Sequence, residues 1–343
     1  MHKIPFIAKQ QTLFILASVI FILTFFIRYN QGGLDIEIDI LRNEREILDK
    51  HIQAVLPSPQ AELLSGILLG QNKKLPGQLK LALRDTSTLH IVVASGQNLT
   101  MVGGFFMLLS GLIKRKFAIP LSLISIIFYV LLTGAQIPIL RAAVMVSLGL
   151  LANILGREKD SIWVLAVTAG SMLLINPHWL FELSFQLSVL ATIGVVVVAP
   201  LIFKKLSMIP NFISQDLAIT LGAQLMIFPI IAQNFHQLSI VALPVNLLVL
   251  WTIPFIMIGG AILLVTSFIA SATNLFIIPP LGVLMGFLLN ILLTYFIYIV
   301  NFFAGFSWAW IYVGEYSWLV WVGYYLLLAG VLKYVYDLRQ NGD

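Results

Sequence analysis

Few side chains in this sequence are able to do chemistry, and most of them stand inside apolar runs. Arg141 follows Pro138 in a segment that is otherwise apolar. Glu182 and Gln186 are four residues apart, which puts both on one face of a helix. Ser95, Gly96, Gln97 and Asn98 form a polar cluster after His90. Gln224 marks a later run, and Asn246 stands between Pro244 and Pro254. Arg141 offers a forked donor to a phosphate, or a salt bridge to Glu182 that ties two helices together. Gln97, Asn98, Gln186 and Gln224 suit interhelical hydrogen bonds, or the lining of a hydrated path. Neutral amides suit a moving polyanion, because fixed cations in a low dielectric would trap it.

Outside these runs, Lys73, Lys74, Lys80 and Arg84 fall within Gln71–Asp85. Leu75, Leu79, Ala82 and Leu83 give that segment an apolar stripe, as in an interfacial helix held against lipid headgroups. The same cations suit a collar gathering a polyanion at the mouth of a channel. Cysteine is absent, which removes disulfides, thiolate metal sites and thiol nucleophiles. The five histidines show no short ligand spacing, and no HExxH, Walker loop or GxGxxG after a strand is present. The expectation is a protein with no metal and no cofactor that is not an enzyme.

The elements that must position these groups follow from composition. Hydrophobic residues make up 59% of 343 and charged residues 10%, against roughly 25% charged in a soluble chain. Mean hydropathy is +0.98. So few charges cannot clothe a soluble fold of this size. The expected fold is all-α, a polytopic transmembrane helical bundle of about nine to eleven spans. Thr12–Ile27, preceded by Lys3 and Lys9, reads as a retained signal-anchor in residues 1–30. Residues 31–60 hold Asp35–Leu56, with six acidic and three basic residues, read as a short extracytoplasmic amphipathic helix covering the core from outside. Residues 61–343 form the main transmembrane domain. Val241–Ser271, broken by Pro244 and Pro254, reads as one interrupted span, a re-entrant pair or two short crossings.

Charge orders the loops. Lys114–Arg115–Lys116, Arg157–Lys159 and Lys204–Lys205 fall at every second turn and mark the cytoplasmic side. That places the N-terminus inside and the Gln71–Asp85 cations outside, against the usual trend. In the aromatic C-terminal third, interface belts explain most rings, and base stacking is open to one or two.

Four blocks, HIVVASGQNLTMVGG (His90–Gly104), LLTGAQIPILRAAVMVSLGLLANILGRE (Leu131–Glu158), NPHWLFELSFQLSVLATIGVVVVAPL (Asn176–Leu201) and AQLMIFPIIAQNFHQLSIVALPVNLLVL (Ala223–Leu250), resemble in order the competence domain of ComEC-type DNA-uptake channels. With the approach at Leu68–His90, the resemblance covers roughly residues 60 to 270. It implies a channel for single-stranded DNA across the cytoplasmic membrane in natural transformation. The positions it carries over are His90, Ser95, Gly96, Gly134, Arg141, Gln186 and Gln224, with Pro229 and Asn246 beside them. Gln97 and Asn98 stand where the family usually has Leu or Met and His. Family members commonly carry an OB-like and a metallo-β-lactamase-like domain, for which no matching segment is read here. Its implied partners are therefore single-stranded DNA, the lipid bilayer, a ComEA-like DNA receptor, a cytoplasmic DNA-translocating ATPase and a separate nuclease. A secondary transporter of a small anionic solute and a membrane scaffold are the other readings.

Overall fold

The computed structural model describes residues 4–32, 39–93, 95–108, 110–154, 160–206, 208, 210–272 and 280–340. Lys3, Asp35, Glu37 and the Arg157–Lys159 turn lie outside them. Almost everything described is helical. In chain order the first helices are α1 (Ile4–Gln31), α2 (Arg42–Val55), α3 (Gln60–Leu69), α4 (Gly77–Asp85) and α5 (Leu89–Val92). Then come α6 (Gly96–Leu108), α7 (Ser110–Ile113), α8 (Arg115–Thr133), α9 (Ile137–Ile154) and α10 (Ser161–Ile175). The remainder are α11 (Leu183–Ile193), α12 (Ala199–Lys205), α13 (Asn211–Phe235), α14 (Ala242–Val249), α15 (Ile253–Ala272), α16 (Pro280–Ala304) and α17 (Trp318–Gln340). Among the described residues six helical runs are long and apolar enough to cross a membrane, fewer than the nine to eleven expected. Four further apolar helices, Gln60–Leu69, Ile137–Ala152, Ser161–Ile175 and Trp318–Tyr334, are shorter.

The all-α expectation meets one exception, a two-stranded antiparallel ribbon of β1 (Gln237–Ser239) and β2 (Trp310–Tyr312). It joins the α13–α14 turn to the α16–α17 turn. His236, in the left-handed region at φ 52°, ends α13 and lets the chain turn into β1.

Prolines shape the spans. Pro254 cannot accept a regular helix before it, and Leu250–Thr252 tightens to a 3-10 turn between α14 and α15. Ala242–Ser267 nevertheless runs as one continuous apolar stretch, long enough to cross a membrane. Pro200 is accommodated by a π-helical turn at Gly194–Val198, which joins α11 to α12. At that turn the chain crosses α13 backbone to backbone: a Cβ on Gly222 would stand 2.7 Å from the Gly194 carbonyl oxygen and 2.9 Å from the Ala199 nitrogen. Only glycine permits this approach.

Pro229 lies inside α13 and leaves the Leu225 carbonyl without its donor. The Tyr324 hydroxyl of α17 donates to that carbonyl at 2.9 Å, and the Tyr325 hydroxyl donates to the Met226 carbonyl at 2.9 Å. Trp321 Nε1 adds a bond to Gln233 Oε1 at 2.7 Å. These aromatics thus dock α17 on the kink of α13, which an interface belt does not require.

The described part of the acidic segment is the amphipathic helix α2. Helix α2 packs against α3, α8 and α15 with Ile52 fully buried. Val55 touches Gly286, and the Gln60 amide donates to Thr294 Oγ1 at 2.9 Å. Those α16 residues lie about 27 and about 15 Å along the helix from Ala304 at 1.5 Å per residue. Helix α3 is thus part of the core, while α2 buries only Asp49 and Ile52 and leaves most of its residues exposed, as an amphipathic helix lying over a core does. Helix α3, nearly all buried, returns to Gly70, whose carbonyl accepts from Gln136 Nε2 at 3.3 Å.

Candidate functional site

Arg141 stands on α9 at its junction with the start of α6 and with α11. It is only 8% exposed. Its Nη1 donates to Thr192 Oγ1 on α11 and lies 3.6 Å from Met145 Sδ. Its Nε has no partner among the described residues. The Arg141–Glu182 salt bridge is not formed: Glu182 is exposed and accepts from Ser184 Oγ at 3.4 Å. The guanidinium is thus buried among neutral groups.

Gly96 explains why α6 reaches it. A Cβ at Gly96 would meet the Ala142 Cβ at 3.0 Å and Arg141 Nη2 at 3.9 Å. With no side chain at Gly96, the first turn of α6 lies against α9 and beside the guanidinium. Ser95 Oγ accepts from the Asn98 backbone N–H at 3.3 Å, in the manner of a cap. Gln97 is exposed beside it.

The other expected residues divide. Asn98 is 1% exposed, and its amide donates to the Ile67 carbonyl of α3 at 3.1 Å, shared with the Tyr129 hydroxyl at 3.3 Å. It clamps α6 to α3. Gln186 donates to the Leu180 carbonyl at 3.0 Å. It also lines an open apolar cleft of about 400 Å³ with Phe181, Phe185, Ile230 and Tyr325. Gln224 is half-buried, two residues from the Gly194–Gly222 crossing. Asn246 is buried at 4%, and its Oδ1 lacks a partner, one turn before the 3-10 break. Gly134 ends α8 at φ 78°, with the Arg45 guanidinium 3.1 Å from where its Cβ would be. That cation complements the negative end of α8, and it also pairs with Asp39. Gly134 and Pro229 are therefore structural.

His90 stands at the rim. Its Nδ1 is 2.8 Å from the Ser87 carbonyl. The ring is open to the surface on one side and surrounded by protein on the others. That protein mass pushes its imidazole below the ordinary value, against the opposing effect of the Ser87 bond.

The basic segment is partly neutralised. Lys74 pairs with Asp49 of α2, and Arg84 with Asp85 at 3.3 Å. Asp85 also accepts from Gln237 Nε2 of the ribbon at 2.9 Å. Among the described residues Lys73 and Lys80 are exposed and carry no ion pair. Among the described residues, two of the four expected cations therefore remain available to an anion.

Several residues that build the site escape a sequence reading. Thr192, which holds the guanidinium, is one hydroxyl in an apolar run. Asp49, 1% exposed and bonded to Ser65, Gln53 and Lys74, reads as one more acid on a solvated face. Gly194 alone carried a signal, a small residue within a span. Among the described residues no group of three or more His, Asp or Glu could hold a metal.

Residues 67–337 match the family model described as Competence protein. The chain is 29% identical over 237 residues to ComE operon protein 3 of Bacillus subtilis (strain 168), covering 67% of this chain and 30% of that protein. It is 29% identical over 157 residues to an uncharacterized protein of Aquifex aeolicus (strain VF5), covering 45% and 35%. With the uncharacterized protein YcaI of Escherichia coli (strain K12) it shares 26% over 223 residues, covering 58% and 28%. The chain thus spans about a third of the length of these curated relatives. No solved structure matches it. With the match running from α3 through the α6–α9–α11 junction to α17, this chain belongs to the Competence protein family.

Proposed function

We propose that this chain forms the membrane channel of a DNA-uptake machinery and passes single-stranded DNA across the cytoplasmic membrane during natural transformation. The observation that carries this reading is Arg141, a guanidinium buried in a matched bundle that pairs with no carboxylate among the described residues. An arginine that served only to tie helices would be expected to have an acidic partner. Lys73 and Lys80 draw DNA to the outer mouth, while the mostly neutral wall lets it move on. The chain conducts and does not catalyse. The N-terminus lies in the cytoplasm, and further apolar helices beyond the six long runs complete the crossings. A ComEA-like receptor outside, a DNA-translocating ATPase inside and a separate nuclease supply capture, energy and strand processing.

The test is uptake of labelled DNA by a deletion strain complemented with wild type or with Arg141→Ala. The deletion should abolish uptake, and Arg141→Ala should restore less than about a tenth of it, taking about 1.4 kcal/mol as the loss. Normal uptake in the deletion strain would end this reading. The 3-10 break beside Asn246 favours a second one, secondary transport of a small anionic solute through a discontinuous helix. Proton- or sodium-coupled solute uptake by vesicles without DNA would select it.

A further inference from the structure

We infer that Arg141 and the N-terminus of α6 together form a binding site for a single phosphodiester of the DNA strand, an inference that rests on the channel reading above. Two sources of positive potential converge there. One is the guanidinium, 8% exposed, with an unpartnered Nε. The other is the amino end of the 13-residue helix α6, whose aligned peptides present roughly half a positive charge. They meet at Gly96, the first residue of α6, where a Cβ would stand 3.9 Å from Nη2.

Nothing negative among the described residues answers them. The guanidinium's contacts are the Thr192 hydroxyl and the Met145 thioether at 3.6 Å, both neutral. A buried charge without an ion partner is costly, and a helix N-terminus close by raises that cost. An incoming anion relieves both at once, since helix amides and a guanidinium each favour a phosphate. The charges present, one guanidinium and the partial charge of one helix end, balance a single negative charge, and Ala142 closes one side at 3.0 Å from the Gly96 Cβ position. A diester carries one negative charge per phosphate and fits this balance. Contact with the backbone alone makes the site indifferent to base sequence, as a conduit requires.

The full chain in nanodiscs of zwitterionic lipid, titrated with a fluorescein-labelled oligothymidylate across a range of salt, tests this by fluorescence anisotropy. Arg141→Gln should weaken binding about tenfold. It should also make the slope of log affinity against log salt shallower by about 0.7, the share of one phosphate on a single strand. Gly96→Ala, which blocks the approach without changing charge, should weaken binding in the same direction. An oligonucleotide of the same sequence with uncharged methylphosphonate links should not distinguish the variants. Elution from gel filtration reports folding, and if Arg141→Gln does not fold, Gly96→Ala decides.

Wild-type affinity and salt slope in the folded variants would overturn the site and leave the channel reading standing. Failure of the wild-type chain to prefer the charged oligonucleotide would overturn the channel reading itself. A third result also overturns the proposal: anionic lipid stabilises the wild type but not Arg141→Gln, while DNA binding is equal. The site would then hold a lipid phosphate.

Discussion

Residue type alone left the buried polar groups ambiguous, and their neighbours resolve them in opposite ways. Asn98 and Arg141 are both buried polar residues in apolar helices. The amide of Asn98 is used by the Ile67 carbonyl, so it is part of the packing. Arg141 keeps a free donor and has no acid. Asp49 is the reverse case, an ordinary-looking surface acid that is buried and takes bonds from Ser65, Gln53 and Lys74. Replacing it by Asn would leave Lys74 without its counter-ion and weaken three bonds. Lys74 is half-exposed, which softens the loss, so Asp49→Asn should destabilise the chain by on the order of 2 kcal/mol. Thermal unfolding in detergent checks this. A variant as stable as wild type would show that the three bonds do not hold α2.

At the scale of elements, the helices are shaped where prolines remove donors, and neighbours supply the replacements. The Tyr324 bond to Leu225 has a purpose only while Pro229 withholds the helical N–H. Tyr324→Phe should therefore cost about 1 kcal/mol in the wild type and much less beside Pro229→Ala, which restores that N–H. Equal costs in both backgrounds, measured as unfolding midpoints, would show the tyrosine bond to be independent of the kink. The Gly194–Gly222 crossing is a sterner constraint. Gly222→Val would force a branched side chain into the Gly194 carbonyl and the Ala199 nitrogen. Expression of folded protein, followed by gel filtration, should fall sharply, with Gly222→Ala intermediate.

For the whole molecule, orientation in the bilayer is the property most open to a direct experiment. The proposed channel has Lys73 outside and Lys205 inside. Because the chain contains no cysteine, single replacements report without background. Lys73→Cys should react with a membrane-impermeant maleimide on intact cells, and Lys205→Cys only after permeabilisation. Labelling in the reverse pattern would invert the channel. The mouth also carries less charge than its lysines and arginine suggest, since Asp49 and Asp85 occupy two of the four. Attraction of DNA from outside should accordingly depend on Lys73 and Lys80 more than on Lys74 and Arg84.

Much of this architecture was legible in sequence. A charged fraction of 10% excludes a soluble surface, proline and glycine mark where spans break, and the order of polar residues along four blocks points to the family. What stayed illegible was azimuth and pairing. In lipid a helix is apolar all round, so hydrophobic periodicity does not mark the face that meets a neighbour. Even in the amphipathic helix α2, the charges mark an exposed face, and only the structure shows that Asp49 turns inward to Ser65 and Lys74. The contacts that decide function join residues far apart in the chain: Arg141 with Thr192, Asn98 with Ile67, Tyr324 with Leu225. Sequence by itself determined that this is a helical membrane protein of the competence type with an arginine among its spans. Only the tertiary structure decided that this arginine lies beside the first residue of α6 and pairs with no acid among the described residues, because a charge's partner is set by packing and not by its place in the chain.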